Sequence, residues 1–194
     1  IIASTLLKHL KSIGGVLNTN NTIPILDCFL FEISKGELTI SASDMETTIT
    51  TSTKVESNDN GNIAIPAKTL LDALSNLPEQ PISFIVDKTK NSIKIKTETG
   101  DYNISGQNGA EYPKLPQLNS EASIVIKSDV LASAINKTIF ATGNDDLRPV
   151  MSGVFCQFNE TNSIFVATDA HKLVRYTRSD AKAGTASSFI MPKK

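Results

Sequence analysis

A ten-residue stretch decides the fold: residues 24–33 read PILDCFLFEI, and residues 149–158 repeat the pattern as PVMSGVFCQF, 125 positions later. Apolar residues match apolar residues at nearly every position of the two stretches. Three further pairs of segments are related by the same offset or by one residue more: 4–13 with 129–138, 38–44 with 163–169, and 63–68 with 189–194. Four matches in the same order along the chain indicate an internal repeat of one fold unit.

The first copy indicates what one unit contains. Leu6 and Leu10 follow helical spacing within residues 4–13, and Ser4 is an N-cap candidate for this helix. A second helix is predicted after Pro66. Runs of β-branched and aromatic residues predict strands at 25–33, 38–42, 47–55, 63–65, 82–86, 92–97 and 102–105. The predicted fold class is α+β, with two helices packed on antiparallel sheets in a complete unit and the second copy truncated.

Alternation along the repeated strand predicts which of its side chains are buried. Phe29 and Phe31 lie on one face, so their matches Val154 and Cys156 are expected to face the core as well. Phe155 must then face the other way. Met151, at the N-terminal end of that strand, is a soft apolar side chain that suits either an adaptable binding surface or the core.

The second copy ends at Lys194, the match to Lys68, before the second helix and the last strands of the first copy. A sheet that stopped there would expose unpaired edges, so we expect the chain to be part of a longer protein. Two prolines within residues 112–119 predict a stiff, extended linker. The predicted domains are therefore residues 1–117 and 118–194, the second incomplete at its C-terminal end.

The composition is ordinary for a soluble globular protein. Of the 194 residues, 40% are hydrophobic and 20% are charged, and no apolar run approaches the ~18 residues of a membrane span. A formal net charge of −1 gives no global basic field of the kind that attracts nucleic acids. Cys28 and Cys156 lie in apolar, strand-like segments, which favours buried thiols in a reducing compartment. We therefore expect a cytoplasmic protein.

Few residues are suited to catalysis. His9 lies next to Lys8 on a helix face that we expect to be solvated. Asp169 and His171 would lie on the same side if the strand before them ran on, as a catalytic or metal-binding pair does. Two ligands without a third make a weak metal site. The sequence has no Walker loop, dinucleotide-binding fingerprint or cysteine-pair zinc spacing, so no catalytic residue, metal or cofactor is predicted.

Several short motifs, in their order and spacing, resemble the bacterial DNA polymerase sliding clamp family, the beta subunit of DNA polymerase III. The first copy resembles the N-terminal domain of that family and the second copy resembles its middle domain, while a third domain is absent. The motifs are TIPIL at 22–26, SDME at 43–46, IPAK at 65–68, EYP at 111–113, RPVMSG at 148–153, TDAHKL at 168–173 and FIMPKK at 189–194. Family members often have Gly-His-Arg where this chain has Ala170, His171 and Lys172.

The resemblance implies the DNA clamp fold and a binding function in bacterial DNA replication. It implies a homodimeric ring that encircles double-stranded DNA without reading its sequence and acts as a processivity factor. This ring is a non-catalytic subunit that tethers the polymerase. The implied partners are the DNA polymerase III catalytic subunit, the clamp loader and other proteins with a clamp-binding motif. Basic residues expected to meet DNA phosphates are Lys8, Lys11, Lys68 and Lys137.

The resemblance implies two further surfaces. One is a pocket for a short apolar peptide, a type of site in which one or two apolar side chains act as anchors. Its expected lining is Arg148, Met151, Thr168, Ala170, His171, Lys172 and Leu173. The other surface is the ring interface, where Tyr102 and Ile104 of the last strand of the first domain would join a strand edge of another protomer.

Two alternatives from other functional classes stay open at this point. A small hydrolase or metal enzyme would be centred on Asp169 and His171, and His171→Ala would then abolish turnover. A repeat-built protein-interaction module would bind partners without encircling DNA, and it would be retained equally on circular and linear DNA.

Overall fold

The computed structural model describes residues 1–17, 23–45, 47–57, 59–114, 124–144 and 147–193. The chain divides into two compact units, unit 1 (Ile1–Pro116) and unit 2 (Gln117–Lys194). The expected boundary between residues 117 and 118 lies outside the described residues, as does Lys194. Within the described ranges, no helix is long and apolar enough to cross a membrane.

Unit 1 packs helices against two antiparallel sheets. The helices are α1 (Ala3–Ile13) and α2 (Ala67–Ser75), and they contact each other. The strands are β1 (Cys28–Ser34), β2 (Glu37–Ser43), β3 (Thr48–Lys54), β4 (Gly61–Pro66), β5 (Ser83–Asp87), β6 (Ser92–Lys96) and β7 (Asp101–Ser105). The first sheet has the order β3-β2-β1-β4 and the second has the order β5-β6-β7. The predicted α+β class is confirmed.

Unit 2 repeats the first sheet of unit 1. Its helix is α3 (Ser128–Asn136), and its strands are β8 (Gly153–Phe158), β9 (Ser163–Thr168), β10 (Leu173–Arg178) and β11 (Ser187–Pro192). The four strands form one antiparallel sheet in the order β10-β9-β8-β11. Because β8 corresponds to β1 at the 125-residue offset, this is the same order as β3-β2-β1-β4. The internal repeat is therefore confirmed by the topology.

The predicted strand faces are also confirmed. Phe29 and Phe31 of β1 are buried in the core of unit 1 together with Leu6 and Leu10 of α1. The corresponding residues of β8, Val154, Cys156 and Phe158, are buried in the core of unit 2. Complete burial of one such aliphatic or phenyl side chain stabilises the fold by about 2 kcal/mol. Helix and sheet in each unit are held together chiefly by this apolar contact.

The opposite face of the first sheet in unit 1, its outer face, is covered by residues 106–112, which we call the covering segment. Gln107 exchanges two backbone hydrogen bonds with Ala64 of β4, with N···O distances of 2.8 and 3.0 Å. A Cβ atom on Gly109 would lie 2.8 Å from the backbone nitrogen of Ile63, so this residue lies directly on β4. Tyr112, 4% exposed, ends the segment. It packs in a small cluster with Ile25, Leu26, Cys28, Leu30 and Ala64.

Two local predictions were wrong. Ser4 does not cap α1, because the helix begins one residue earlier, at Ala3, whose N–H donates to the carbonyl of Gln80 at 2.9 Å. A tertiary contact thus replaces the side-chain cap. The predicted strand at 25–33 begins only at Cys28, and Pro24–Asp27 forms a 3₁₀ helix. Proline at its first position fixes the φ angle that such a turn needs.

Candidate functional site

The lysines expected to meet DNA in unit 1 lie on the helices. Lys8 and Lys11 are exposed on α1, on the side away from the buried Leu6 and Leu10, and Lys68 is exposed in the first turn of α2. Within the described part of the chain, none of the three ammonium groups pairs with a carboxylate. Since α1 and α2 contact each other, the three lysines belong to one helical layer.

The sequence predicts a solvated helix face for His9, and this prediction is wrong. Its side chain is half-buried, and Nδ1 lies 2.7 Å from Oγ1 of Thr51 on β3. The helix lies over this edge strand of the sheet, so the imidazole is turned toward the strand rather than toward water. His9 therefore has a structural role that joins α1 to β3.

Lys137, the expected DNA-contacting residue of unit 2, lies at the C-terminal end of α3 and contacts Tyr176 of β10. Its Nζ is 3.3 Å from the phenol oxygen and 4.7 Å from the ring centroid. Nη1 of Arg178 donates to the same phenol oxygen at 3.1 Å. Hydrogen bonds from Arg178, Lys137 and Ser133 lower the pKa of Tyr176 to about 8. Sequence reasoning missed Tyr176 and Arg178, although both lie at alternate positions of a predicted strand.

The expected pocket residues 168–173 form a tight turn between β9 and β10. The N–H groups of His171 and Lys172 donate to Oδ1 of Asp169 at 3.0 and 2.9 Å, and the Lys172 ammonium pairs with Oδ2. These contacts, the Lys172 ammonium first, hold the pKa of the Asp169 carboxyl well below its usual range. Ala170 adopts a φ angle of +74°, a left-handed conformation unusual for alanine.

Because of this turn, the strand does not run on through Asp169 and His171, so the condition under which the two side chains would lie on one side is not met. The strand ends at Thr168, and the Asp169 carboxylate is engaged by its own turn. Among the described residues, no group of three histidine, cysteine, aspartate or glutamate side chains could hold a metal ion. Burial raises the pKa of the Cys28 and Cys156 thiols to about 11, so neither is a thiolate nucleophile near neutral pH. The geometry thus favours a binding surface over a catalytic pair.

The second expected segment of the pocket, Arg148 and Met151, lies next to the turn. Arg148 precedes the 3₁₀ helix Pro149–Met151 and is exposed, while Met151 is half-buried. Gly143 joins the two segments: its N–H donates to the carbonyl of Met151 at 2.8 Å, and an added Cβ would lie 3.8 Å from Cα of Asp169. The structure therefore brings the sequence-predicted residues together at one end of the sheet.

Apolar side chains are exposed around these residues. Leu173 is 66% exposed at the start of β10, and Val150 is 66% exposed beside Met151. Phe155 and Ile190, paired across β8 and β11, are also exposed on the outer face of the sheet. Contiguous exposed apolar side chains are typical of a binding surface.

The two residues expected at the ring interface differ in burial. Ile104 is buried in the core of unit 1, whereas Tyr102 is exposed. Both belong to β7, which is an edge strand of the β5-β6-β7 sheet among the described strands. What β7 offers to a partner is therefore its backbone edge and Tyr102, with Ile104 holding the strand against the core.

Comparison with known families decides the identity of the fold. The model of the DNA polymerase III beta subunit, N-terminal domain, matches residues 1–116, and that of the central domain of the same subunit matches residues 125–194. The chain belongs to the DNA polymerase III beta subunit family. The resemblance inferred from the motifs is thus confirmed.

Individual beta subunits agree with this assignment. The chain is 30% identical to the Haemophilus influenzae protein named beta sliding clamp, in a match that covers 100% of this chain and 53% of that protein. The solved DNA polymerase sliding clamp of Bacillus subtilis superposes with a TM-score of 0.89 at 23% identity, covering 100% of this chain and 53% of that one. A Pseudomonas aeruginosa sliding clamp solved with bound griselimycin superposes with a TM-score of 0.85 at 23% identity and the same coverage. The chain spans about half the length of the beta subunits that it matches.

Proposed function

We propose that the chain belongs to a sliding clamp, a ring of two copies that encircles duplex DNA and tethers the replicative polymerase. The observation that carries the proposal is the duplicated unit within the beta subunit family: both copies have the same sheet order and a helix with exposed lysine at its surface or end. Such a ring holds DNA by topology and performs no chemical step. Its function needs no cofactor.

The DNA would be met through phosphate groups alone. Lys8, Lys11 and Lys68 carry flexible ammonium groups on the helical layer of unit 1, and Lys137 carries one at the end of α3. Contacts of this kind position DNA without reading its bases, and they allow the protein to slide.

The end of the unit 2 sheet would receive a short peptide from a polymerase, the clamp loader or a repair protein. Leu173, Val150 and Met151 supply apolar contact, and the Ala170–Lys172 turn with Arg148 supplies a polar rim. Peptides bind such surfaces by one or two apolar anchors surrounded by polar contacts. Ring closure would use the exposed edge of β7 with Tyr102, joined by a strand of the other protomer.

Retention on closed circular DNA tests the ring. The complete protein, loaded on a circular duplex, is expected to stay bound at high salt and to be released when one cut linearises the same DNA. Equal retention on both forms would instead indicate an interaction module that does not encircle DNA.

The lysine contacts are tested by the salt dependence of duplex binding. Each phosphate contact contributes about 0.9 to the slope of log affinity against log salt concentration. The double change Lys8→Gln and Lys11→Gln is expected to lower this slope by up to about 1.8. Lys90→Gln, in the turn between β5 and β6, removes one lysine charge outside the helices and is expected to leave the slope unchanged.

The peptide surface is tested with a fluorescent peptide that carries a clamp-binding motif. Leu173→Ala is expected to weaken its binding about tenfold, because part of one buried leucine side chain is lost. His171→Ala is expected to weaken binding as well, through loss of contact at the rim. Met45→Ala, at the matching turn of unit 1, is the control, and an equal loss in that variant would contradict the assignment to unit 2.

A further inference from the structure

Tyr176 gathers two cations at the surface of unit 2. Its ring packs against the core, while its hydroxyl accepts hydrogen bonds from Lys137 and Arg178 at 3.3 and 3.1 Å. The ring contact with Lys137 adds a cation–π interaction, with Nζ 4.7 Å from the centroid. A half-buried side chain therefore holds an ammonium and a guanidinium beside one oxygen atom.

Both cations keep hydrogen-bond donors for a ligand. Arg178 uses Nε and Nη2 for the two carboxylate oxygens of Asp180, at 2.7 and 2.6 Å, and one N–H of Nη1 for Tyr176. Of its five N–H groups, one on each of Nη1 and Nη2 is left to donate to phosphate oxygens. Lys137 uses one of three N–H groups for Tyr176, so two are left.

We propose that Lys137, Tyr176 and Arg178 form one phosphate-binding site, which takes a backbone phosphate of duplex DNA. The proposal rests on the proposed function, because Lys137 is one of the residues expected to meet DNA. It adds Arg178 as a phosphate-binding residue and Tyr176 as the residue that positions both cations. A backbone phosphodiester offers two non-bridging oxygens, which a guanidinium and an ammonium held beside one phenol oxygen can contact together.

The charges around the site favour an anion. Asp180 neutralises part of Arg178, but Lys127 lies close enough to Asp180 to lower the pKa of its carboxyl together with Arg178. The C-terminal end of α3 carries partial negative charge, which Lys137 offsets. Three cations against one carboxylate leave the cluster net positive. The lowered pKa of Tyr176 has the same cause, since donors that stabilise a phenolate also stabilise a bound anion.

Unit 1 has no such site at the matching place. At the 125-residue offset, Thr51 and Thr53 stand where unit 2 has Tyr176 and Arg178. Thr51 is instead engaged by His9. The phosphate site is therefore a property of unit 2 and not of the repeated fold.

The test compares matched arginine variants of the complete protein. Arg178→Gln removes the charge at the site, and Arg175→Gln removes the same charge from the opposite face of β10. Affinity for a duplex oligonucleotide is measured across salt concentrations. Arg178→Gln is expected to lower the log–log slope by about 0.9, the value of one phosphate contact, while Arg175→Gln leaves it unchanged. Equal slopes in the two variants, at either value, overturn the proposal.

A second variant is expected to increase DNA affinity, a result that misfolding would not produce. Asp180→Asn keeps Arg178 and removes the competing carboxylate, so duplex affinity is expected to rise severalfold. Glu160→Gln, an exposed acid in the loop between β8 and β9, is the control for a general loss of negative charge. A gain in Asp180→Asn no larger than that in Glu160→Gln counts against the site.

Inorganic phosphate separates this proposal from the proposed function. Phosphate, compared with chloride at equal ionic strength, is expected to raise the pKa of Tyr176. The pKa is measured from the phenolate absorbance, and the Tyr176→Phe variant identifies the part of the signal that belongs to Tyr176. If the wild-type protein binds no duplex DNA yet phosphate shifts Tyr176, the clamp function fails and the site takes free phosphate only. If DNA binds but neither Arg178→Gln nor phosphate has an effect, the clamp function stands and the site is overturned.

Discussion

The two units contain the same four-stranded sheet, but the described residues on its outer face differ in burial. In unit 1 the covering segment lies across this face and buries Tyr112 against Ile25 and Leu30. At the matching positions of unit 2, Val150 is 66% exposed and Phe155 is 37% exposed. No segment among the described residues of unit 2 covers them. In unit 1 the covering segment follows the second helix and the second sheet, and these elements have no counterpart within the described part of residues 124–193.

The turn beside that face is nearly the same in both units. Asp44 accepts the N–H of Thr47 at 2.7 Å, as Asp169 accepts that of Lys172, and both turns contain a left-handed residue, Met45 at +79° and Ala170 at +74°. The turn is therefore part of the repeated fold and not by itself a mark of function. In unit 2 a lysine also pairs with the turn's aspartate.

The largest expected effect comes from removing the aromatic ring that closes the unit 1 face. Tyr112→Ala deletes a side chain that is 4% exposed and is expected to lower the free energy of unfolding by about 3 kcal/mol. Phe155→Ala removes a ring from the matching face of unit 2, where it is already partly in water, and is expected to cost less than about 1 kcal/mol. Urea unfolding measures both. Similar losses in the two variants would contradict the difference in burial between the two rings.

A smaller loss is expected where the covering segment lies directly on β4. In Gly109→Ala the new methyl group would be 2.8 Å from the backbone nitrogen of Ile63, so the segment must shift. Overpacking of this kind costs about 2 kcal/mol. Gly184→Ala in unit 2 meets no atom within 4 Å and is the control. Urea unfolding of both variants checks the result, and an unchanged Gly109→Ala protein would mean that the segment is loosely attached.

Much of the fold was predictable because its signals are local or repeated. The 125-residue offset matched the sequence of β8 to that of β1 and predicted the same buried face for both. Alternation along each strand correctly separated the buried Phe29 and Val154 from the exposed Phe155. The covering segment could not be predicted in the same way. Its contacts join Gln107 to Ala64 and to Cys28, and sequence pattern carries no information about such distant pairs.

The candidate site was predictable where motifs carried it and not where side chains from distant elements meet. The resemblance selected Thr168, Ala170, His171, Lys172 and Leu173, but it did not indicate that Ala170 is left-handed. Strand alternation would have placed Asp169 and His171 on one side only if β9 ran on, and β9 ends at Thr168. Lys137 was expected to meet DNA as a single lysine. Its partner Tyr176 lies 39 residues away on β10, so only the fold brings them together.

The left-handed residue of each turn allows the two units to be compared by a smaller change in stability. A non-glycine residue at such a φ angle lowers the free energy of unfolding by about 1–2 kcal/mol. Glycine avoids this strain but loses more chain entropy on folding, so a substitution by glycine regains only part of that free energy. Ala170→Gly is therefore expected to stabilise unit 2 by about 0.5 kcal/mol. Met45→Gly at the matching turn of unit 1 is expected to gain a similar amount, since its φ angle is nearly the same. Thermal unfolding measures both, and a loss of stability in Ala170→Gly would mean that its methyl group packs usefully.

The smallest expected effect concerns the ion pair between Asp169 and Lys172 in the unit 2 turn. The pKa of Asp169 is lower in the folded than in the unfolded state, so its stabilising contribution is present above about pH 4 and is lost as the pH falls through the folded-state pKa. Asp169→Asn retains an acceptor for the backbone N–H groups and lacks the charge. The difference in unfolding free energy between wild type and Asp169→Asn is therefore expected to shrink on acidification.

Lys172→Met separates the two causes of the lowered pKa of Asp169, the Lys172 ammonium and the backbone N–H groups. It removes the ammonium and keeps the backbone N–H groups of residues 171 and 172 as donors to Asp169. The pKa of Asp169, followed by NMR, is expected to rise in this variant toward its usual range, because the ammonium hydrogen bond is the largest contribution. An unchanged pKa would assign the whole pKa shift of Asp169 to the backbone donors.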